Sequence, residues 1–222
     1  MTLASIFPAA YALARRAGIV DRPLFKRVFV RAYFVYKRYV EDPFHGLVSE
    51  RPHLFRGGHV LDVGGNLGYN AQLFAGALSP GYKVFSFEPE ASNFELLQRM
   101  IASNGLADRI VAVAAAVGAS EGTIELQFNP EHHGDHRIAT ETLLANGTKA
   151  RETRTVALHS VDGFVASMSA PRTVAFIKID VQGYELAVCE GMKQTLADNP
   201  DVVVAFEYTP DSMIELGFDP RR

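Results

Sequence analysis

The spacing of apolar and polar positions predicts a regular order of strands and helices. Residues 60–63 form a short apolar strand, and a glycine-rich turn then leads into a helix over residues 69–78. Further along, the pattern predicts a strand at 84–87, a helix at 92–103 and a strand of small residues at 110–117. A strand–helix–strand–helix–strand order implies a parallel sheet with crossover helices, so the predicted fold is α/β.

The second half of the chain continues this order after one interruption. Alternation at 123–128 predicts an antiparallel strand, whereas residues 129–153 are polar and show no sustained period. A segment of this length without clear structure in a compact domain is usually functional or disordered. Beyond it, the pattern predicts a strand at 155–158 and a helix at 163–168 with Asp162 as its N-cap. The pattern then predicts a strand at 173–179, a helix at 184–196 and a last strand at 202–206.

Residues 22–41 carry a separate amphipathic pattern. Aromatic and apolar residues recur every three or four positions with basic residues between them, which predicts a helix that packs one stripe on a core. A basic, aromatic helix can also contact a membrane surface or an acidic partner, and this alternative stays open. Asp42 and Pro43 are expected to end the helix. We therefore predict a helical appendage over residues 1–45 and a main domain over residues 46–222.

Composition limits the class of protein. Of the 222 residues, 48% are hydrophobic and 21% are charged, which is typical of a soluble globular protein with a substantial core. The formal net charge of −3 does not support nucleic-acid binding, and no apolar run approaches the ~18 residues of a membrane span. The single cysteine, Cys189, excludes an internal disulfide framework and is expected in the core. We predict a cytoplasmic protein without nucleic-acid partners, and the pattern indicates no oligomeric state.

Acidic residues mark the carboxyl ends of the predicted strands. Asp62 lies within the first strand, and Glu88, Asp180 and Glu207 each follow a strand. In an open α/β sheet these strand ends border one crevice, where ligands bind. Glu88 closes the second strand 20 residues after Gly68, where nucleotide-binding folds place the carboxylate that accepts ribose hydroxyls.

The glycine-rich turn narrows the choice of nucleotide. Counted from Gly64, a dinucleotide fingerprint needs two further glycines at positions that Asn66 and Tyr69 occupy here. The Gly-Lys-Ser/Thr sequence of a phosphate-binding loop is also absent. Glycines let a ligand approach the backbone closely, which suits an adenosyl group with a cationic sulfonium and an amino-acid tail.

These motifs resemble those of class I S-adenosylmethionine-dependent methyltransferases and, within that class, the FkbM family. Residues 60–68 resemble the first motif and residues 87–90 the ribose motif. Residues 177–185 resemble the Lys-Ile-Asp-Val-Glu-Gly-x-Glu signature, with Gln182 where the family usually has glutamate. The resemblance implies a Rossmann-like, doubly wound, mostly parallel sheet with strand order 3-2-1-4-5-7-6. Because the chain ends 14 residues after Tyr208, a sheet that lacks the C-terminal hairpin is the expected departure.

The resemblance also implies a cofactor and a reaction. The cofactor is S-adenosyl-L-methionine, and the reaction is O-methylation of a small molecule or of a sugar hydroxyl in a glycan. Ala116 and Val117, at the end of the third strand, would lie near the adenine. The full set of cofactor contacts that it implies is Asp62, Gly64, Gly65, Asn66, Gly68, Asn70, Glu88, Pro89, Ala116, Val117 and Asp180.

Methyl transfer to a hydroxyl needs a base that takes the proton of the acceptor. Asp180 is the favoured catalytic residue because it lies at the predicted mouth of the crevice. His132, His133 and especially His136 are further candidates, since imidazole titrates near neutral pH and their segment could close over the site. The spacing His-His-Gly-Asp-His matches no strong ligand pattern, so no metal is predicted.

Two other interpretations stay open. Gln182 and the short C-terminus are compatible with a non-catalytic or truncated methyltransferase-like domain. A nicotinamide-dependent oxidoreductase is the second alternative, and Asn66 and Tyr69 argue against it because they replace fingerprint glycines.

Overall fold

The chain divides into two compact units, Met1–Arg51 and Pro52–Arg222. The computed structural model describes residues 28, 32, 34–37, 43–127, 137–140, 142–143 and 152–221.

In the first unit, the described residues Val28, Ala32 and 34–36 are helical, as predicted for this stretch, and a helix that was not predicted, α1, spans Phe44–Glu50. Most of the predicted aromatic stripe lies outside the described residues. The division at residue 45 stays a prediction.

The second unit holds the remaining elements, which alternate between strands and helices. A 3₁₀ turn at Pro52–Phe55 precedes them. In chain order they are β1 (His59–Val63), α2 (Tyr69–Ala77), β2 (Val84–Phe87), α3 (Ala91–Ser103), β3 (Ile110–Val113), β4 (Ala116–Val117), β5 (Gly122–Gln127), β6 (Arg137–Ile138), β7 (Thr153–His159), α4 (Val161–Ser167), β8 (Val174–Ile179), α5 (Glu185–Glu190), α6 (Lys193–Asp198), β9 (Val203–Phe206) and α7 (Pro210–Glu215).

The main sheet is parallel and has the order β3-β2-β1-β8-β9. This confirms the predicted α/β fold and matches the first five positions of the expected strand order. The order reverses between β1 and β8, because β2 and β3 extend to one side of β1 while β8 and β9 extend to the other. Among the described residues, no strand pairs with the outer edge of β9. Ligands of open α/β sheets bind at such a reversal, beyond the carboxyl ends of the strands.

Aromatic side chains pack against both faces of the main sheet. On one face, the ring of Phe55 lies 5.2 Å from Phe74 of α2 and 4.4 Å from Phe176 of β8. On the other, Phe164 of α4 lies 4.7 Å from Phe87 of β2. All five residues of β1 are buried, which fits a central strand covered on both faces. This strand therefore sets the position of the turn that follows it.

A second, four-stranded sheet has the order β4-β7-β5-β6. The prediction of one strand over 110–117 is wrong, because the chain leaves the main sheet after Val113 and then joins the second sheet as β4, paired with β7. The antiparallel strand predicted at 123–128 is confirmed in β5, which pairs with β6 and β7. Strand β6, Arg137–Ile138, lies inside the segment that was expected to lack clear structure.

The helix predicted over 184–196 is two helices, α5 and α6, interrupted at Gly191. A Cβ atom at Gly191 would lie 2.1 Å from the backbone oxygen of Gly118, so the two chain segments are in close contact at this point. The hydrophobic pattern continues through the break because both short helices pack on the same core, through Val188 and Leu196.

Asp162 caps a different helix from the one predicted. Ser160 caps α4, since its hydroxyl accepts the N–H of Gly163 at 3.0 Å. The carboxylate of Asp162 instead accepts the N–H groups of Gln194 and Thr195 at 3.0 and 2.7 Å, near the start of α6. Asp162 thus joins two helices that packing brings together.

None of the helices in the described part of the chain has the length and apolar character needed to cross a membrane.

Candidate functional site

A row of polar side chains crosses the buried centre of the main sheet. In the strand register, Asp62 of β1 is opposite Ser86 of β2 and Lys178 of β8, so the three side chains share one face. The hydroxyl of Ser86 donates to Oδ2 of Asp62 at 2.8 Å. Oδ1 of Asp62 lies 3.5 Å from Nζ of Lys178. Since charged groups are seldom buried unless they are paired, this row is a specific feature of the sheet.

Lys178 connects the row to the glycine turn. Its side chain is 2% exposed, and the ammonium group donates to the backbone oxygen of Gly64 at 2.7 Å and to that of Val63 at 3.3 Å. The same nitrogen lies 3.5 Å from a carboxylate oxygen of Asp180. Lys178 was not among the predicted site residues. A lysine within an otherwise apolar strand was the signal that could have identified it, because a buried ammonium group requires partners.

The glycines of the turn are required by packing within the protein. Gly64 has a φ of +79°, and a Cβ atom there would lie 1.8 Å from the backbone oxygen of Asp180. A Cβ at Gly65 would lie 2.0 Å from the hydroxyl of Ser86, and one at Gly68 would lie 2.3 Å from Met100. From the sequence alone, the expected reason for these glycines is the close approach of a ligand to the backbone. The geometry adds a second reason, which is contact between β1, β2, β8 and α3.

Gly64→Ala is expected to lower the free energy of unfolding by roughly 2–5 kcal/mol, from the left-handed φ and the overlap with Asp180. Gly76→Ala is the matched control. Gly76 is exposed in α2 with open space around it, so alanine there is expected to stabilise the helix by about 0.5–1 kcal/mol. Urea denaturation of both variants measures the difference. Equal effects of the two substitutions would contradict the packing argument.

Glu88 lies on the β2 side of the turn. Its carboxylate accepts the backbone N–H of Asn66 at 2.8 Å and that of Glu90 at 2.9 Å. Burial raises the pKa of Glu88 to about 7, although these two hydrogen bonds oppose the shift. A buried carboxylate that is hydrogen-bonded to the backbone of the turn is suited to accept hydrogen bonds from hydroxyl groups of a ligand that lies over Asn66.

Two more acids follow β8 and β9, on the other side of the turn. The side chain of Asp180 is 31% exposed, and its carboxylate accepts a hydrogen bond from the side-chain amide of Gln182 at 2.9 Å. The same amide lies 3.3 Å from the carboxylate of Glu207. The prediction that acids gather at the carboxyl edge of the sheet is therefore reflected in a chain of contacts. Lys178 links Asp62 to Asp180, and Gln182 links Asp180 to Glu207.

The remaining predicted site residues lie in different surroundings. Ala116 and Val117 are buried in the core, and their predicted place near the adenine stays a prediction. Asn70 lies in the first turn of α2, and Pro89 directly follows Glu88, both half-buried. His136, like the two other candidate histidines, lies outside the described residues.

The arrangement favours one kind of ligand. Carboxylates on both sides of the turn accept hydroxyl groups and attract positive charge, and they repel phosphate groups. Ribose hydroxyls and a cationic sulfonium suit these carboxylates, whereas the dinucleotide fingerprint is interrupted at Asn66 and Tyr69.

The sheet order, the glycine turn after β1 and the acid after β2 are together those of the Rossmann-like class I methyltransferase fold. The model of the Methyltransferase FkbM domain matches residues 62–219, which is more than half of the chain. The chain therefore belongs to the FkbM methyltransferase family.

Individual relatives are distant. The hexuronic acid methyltransferase AglP of Haloferax volcanii is 28% identical over 161 residues, which are 72% of this chain and 57% of that protein. The methyltransferase sdnD of Sordaria araneosa is 22% identical and aligns with 74% of this chain and 70% of its own. A crystal structure of an FkbM methyltransferase from Methylobacillus flagellatus has a TM-score of 0.49 at 18% identity, covering 84% of this chain and 44% of that one. The chain thus spans little more than half of the length of AglP.

Proposed function

We propose that this chain is an S-adenosyl-L-methionine-dependent methyltransferase that methylates a hydroxyl group of a small molecule or glycan. The observation that carries the proposal concerns Glu88, which is 6% exposed. Its carboxylate accepts a hydrogen bond from the backbone N–H of Asn66 in the glycine turn. Membership of the FkbM family supports the type of reaction.

The residues around the turn have distinct proposed roles. Glu88 accepts the ribose hydroxyls, and the backbone from Gly64 to Gly68 lies under the amino-acid end of the cofactor. Asp62 was predicted as a cofactor contact, but its side chain is fully buried, so we propose that it acts from behind the turn. Asp62 and Lys178 hold this turn in place through their mutual ion pair and the bond from Lys178 to Gly64. Gly65, Asn66, Asn70, Pro89, Ala116 and Val117 keep their predicted places around the same ligand. When bound, the cofactor supplies an electrophilic methyl group on a good leaving group.

Asp180 is the proposed base. It follows β8 directly beside the turn, and its partly exposed carboxylate is accessible to an acceptor at the mouth of the crevice. The ion pair with Lys178 and the amide of Gln182 fix the direction of this carboxylate, so that one acceptor hydroxyl can be oriented before transfer. His136 is the second proposed candidate for the same role.

A hydroxylated sugar derivative is the proposed acceptor. The relative AglP is named as a hexuronic acid methyltransferase, and it aligns with 72% of this chain. The acids of the site fit an acceptor that presents a neutral hydroxyl to the methyl group, because carboxylates accept a hydrogen bond from such a group.

Calorimetric titration of the chain with S-adenosylhomocysteine, S-adenosylmethionine and NADH tests the cofactor class. We expect both adenosyl ligands to bind and NADH not to bind, because Asn66 and Tyr69 occupy positions where the dinucleotide fingerprint has glycines. NADH binding without adenosyl binding would favour the oxidoreductase alternative and overturn the proposal. A methyl-release assay over hydroxylated sugars then separates an active enzyme from a domain that only binds.

A further inference from the structure

Asp180 and Glu207 are joined by the side-chain amide of Gln182. The amide nitrogen donates to Oδ1 of Asp180 at 2.9 Å and to Oε2 of Glu207 at 3.3 Å. Because ionised carboxylates only accept hydrogen bonds, the nitrogen and not the oxygen of the amide must face them. The amide thus joins the two acids, which we call the bridged carboxylates. Lys178 lies 3.5 Å from Asp180 and offsets part of its charge, whereas Glu207 is exposed and has the neutral amide beside it.

The backbone holds Gln182 in an unfavourable conformation. Its φ of 55° lies in the left-handed region, which residues other than glycine rarely adopt. The carboxylate of Glu185 enforces this turn, since it accepts the N–H groups of Val181 and Gly183 at 3.2 and 3.1 Å. A Cβ at Gly183 would lie 2.7 Å from the backbone carbon of Ser212, so packing also restricts the turn. Strain that the surroundings enforce in this way is concentrated at functional positions.

The bridged carboxylates lie on the opposite side of the turn from Glu88. Strands β2, β1, β8 and β9 are successive neighbours, and Glu88 follows β2 while Asp180 follows β8. Adjacent strands are about 4.8 Å apart, which separates Glu88 from Asp180 by roughly 10 Å. With its ribose on Glu88 and its adenine on the β3 side, an adenosyl ligand extends its sulfur across the turn toward Asp180.

We infer that the bridged carboxylates recognise the positive charge of the sulfonium, and that this charge gives S-adenosylmethionine an advantage over S-adenosylhomocysteine. The inference rests on the proposed function. The two ligands differ by one methyl group and one positive charge, so nearby carboxylates lower the free energy of the cation and not that of the neutral thioether. The transfer step removes that charge, and with it an attraction that would retain the product.

The test compares the dissociation constants of the two ligands, measured by calorimetry on the whole chain. Glu207→Gln removes one charge but keeps an oxygen that accepts from Gln182. We expect the ratio of the S-adenosylhomocysteine constant to the S-adenosylmethionine constant to fall by roughly 2- to 5-fold, because Glu207 is exposed and solvent screens its charge. Gln182→Glu adds a charge beside the same acids, and at pH 8.5 it is expected to raise this ratio. General damage to the pocket affects both ligands and leaves the ratio unchanged.

Glu95→Gln is the control, because Glu95 is an exposed acid on α3 that pairs with Arg99. It is expected to leave the ratio at the wild-type value. If both adenosyl ligands bind and neither Glu207→Gln nor Gln182→Glu moves the ratio, the inference is overturned and the proposed function stands. If the wild-type chain binds neither ligand, the proposed function itself fails.

Discussion

Lys178→Met is expected to lower the free energy of unfolding by about 3–5 kcal/mol, the usual cost of breaking a buried ion pair from one side. Asp62 is fully buried, and without the ammonium group its charge keeps the hydrogen bond from Ser86 but loses its counterion. The backbone oxygen of Gly64 loses its donor in the same substitution. Urea denaturation followed by circular dichroism measures the loss.

Two comparisons make the Lys178 result specific. Lys193→Met removes an exposed lysine on α6 and is expected to change stability by no more than about 0.5 kcal/mol. Adding Asp62→Asn to Lys178→Met is expected to cost less than the sum of the single changes, because a neutral amide at position 62 leaves no unpaired charge. A Lys178→Met loss as small as that of Lys193→Met would show that the buried pair does not stabilise the sheet.

Glu88 is expected to make stability depend on pH, in the direction opposite to that of most acids. Its pKa is about 7 in the folded chain against 4.5 as its ordinary value, so the folded state binds this proton more tightly. The contribution of Glu88 to the free energy of unfolding is therefore greatest below pH 4.5. It decreases by roughly 3 kcal/mol as the pH rises to 7. Glu88→Gln does not titrate. The unfolding free energy of wild type minus that of Glu88→Gln isolates this change across pH 4.5–8.

The same carboxyl group is expected to control cofactor affinity. Only the ionised form accepts both ribose hydroxyls, so the affinity of the wild type for S-adenosylhomocysteine should rise between pH 6 and 8. Glu88→Gln should show no such rise and should bind roughly 10- to 100-fold more weakly at pH 8, the cost of losing charge-assisted hydrogen bonds. Glu95→Gln should behave as the wild type does. A pH-independent wild-type affinity would place the ribose elsewhere.

Local features of the site were predictable from sequence because contiguous residues carry them. Asp62 and Glu88 could be placed at the carboxyl edge since each lies at or near the end of an apolar run, and strand ends of a parallel sheet share one edge. Gln182 and Asp180 belong to one signature, so their proximity was also expected. The strain at Gln182 had no sequence signal, because its left-handed φ is imposed by Glu185 and by contact with α7.

Sequence alone therefore determined the α/β class, the parallel direction of the strands and the acids at their carboxyl ends, because these follow from periodicity and from where apolar runs end. The tertiary structure decided which groups meet. Lys178 bonds to Gly64 across 114 residues of chain, and it reaches Asp62 only because β1 and β8 pair in one particular register. The same is true of Asp162, which caps α6 rather than α4. The pairing of β1 with β8 and the packing of α4 against α6 are contacts between segments that are far apart in the chain, and neither segment's own sequence identifies its partner.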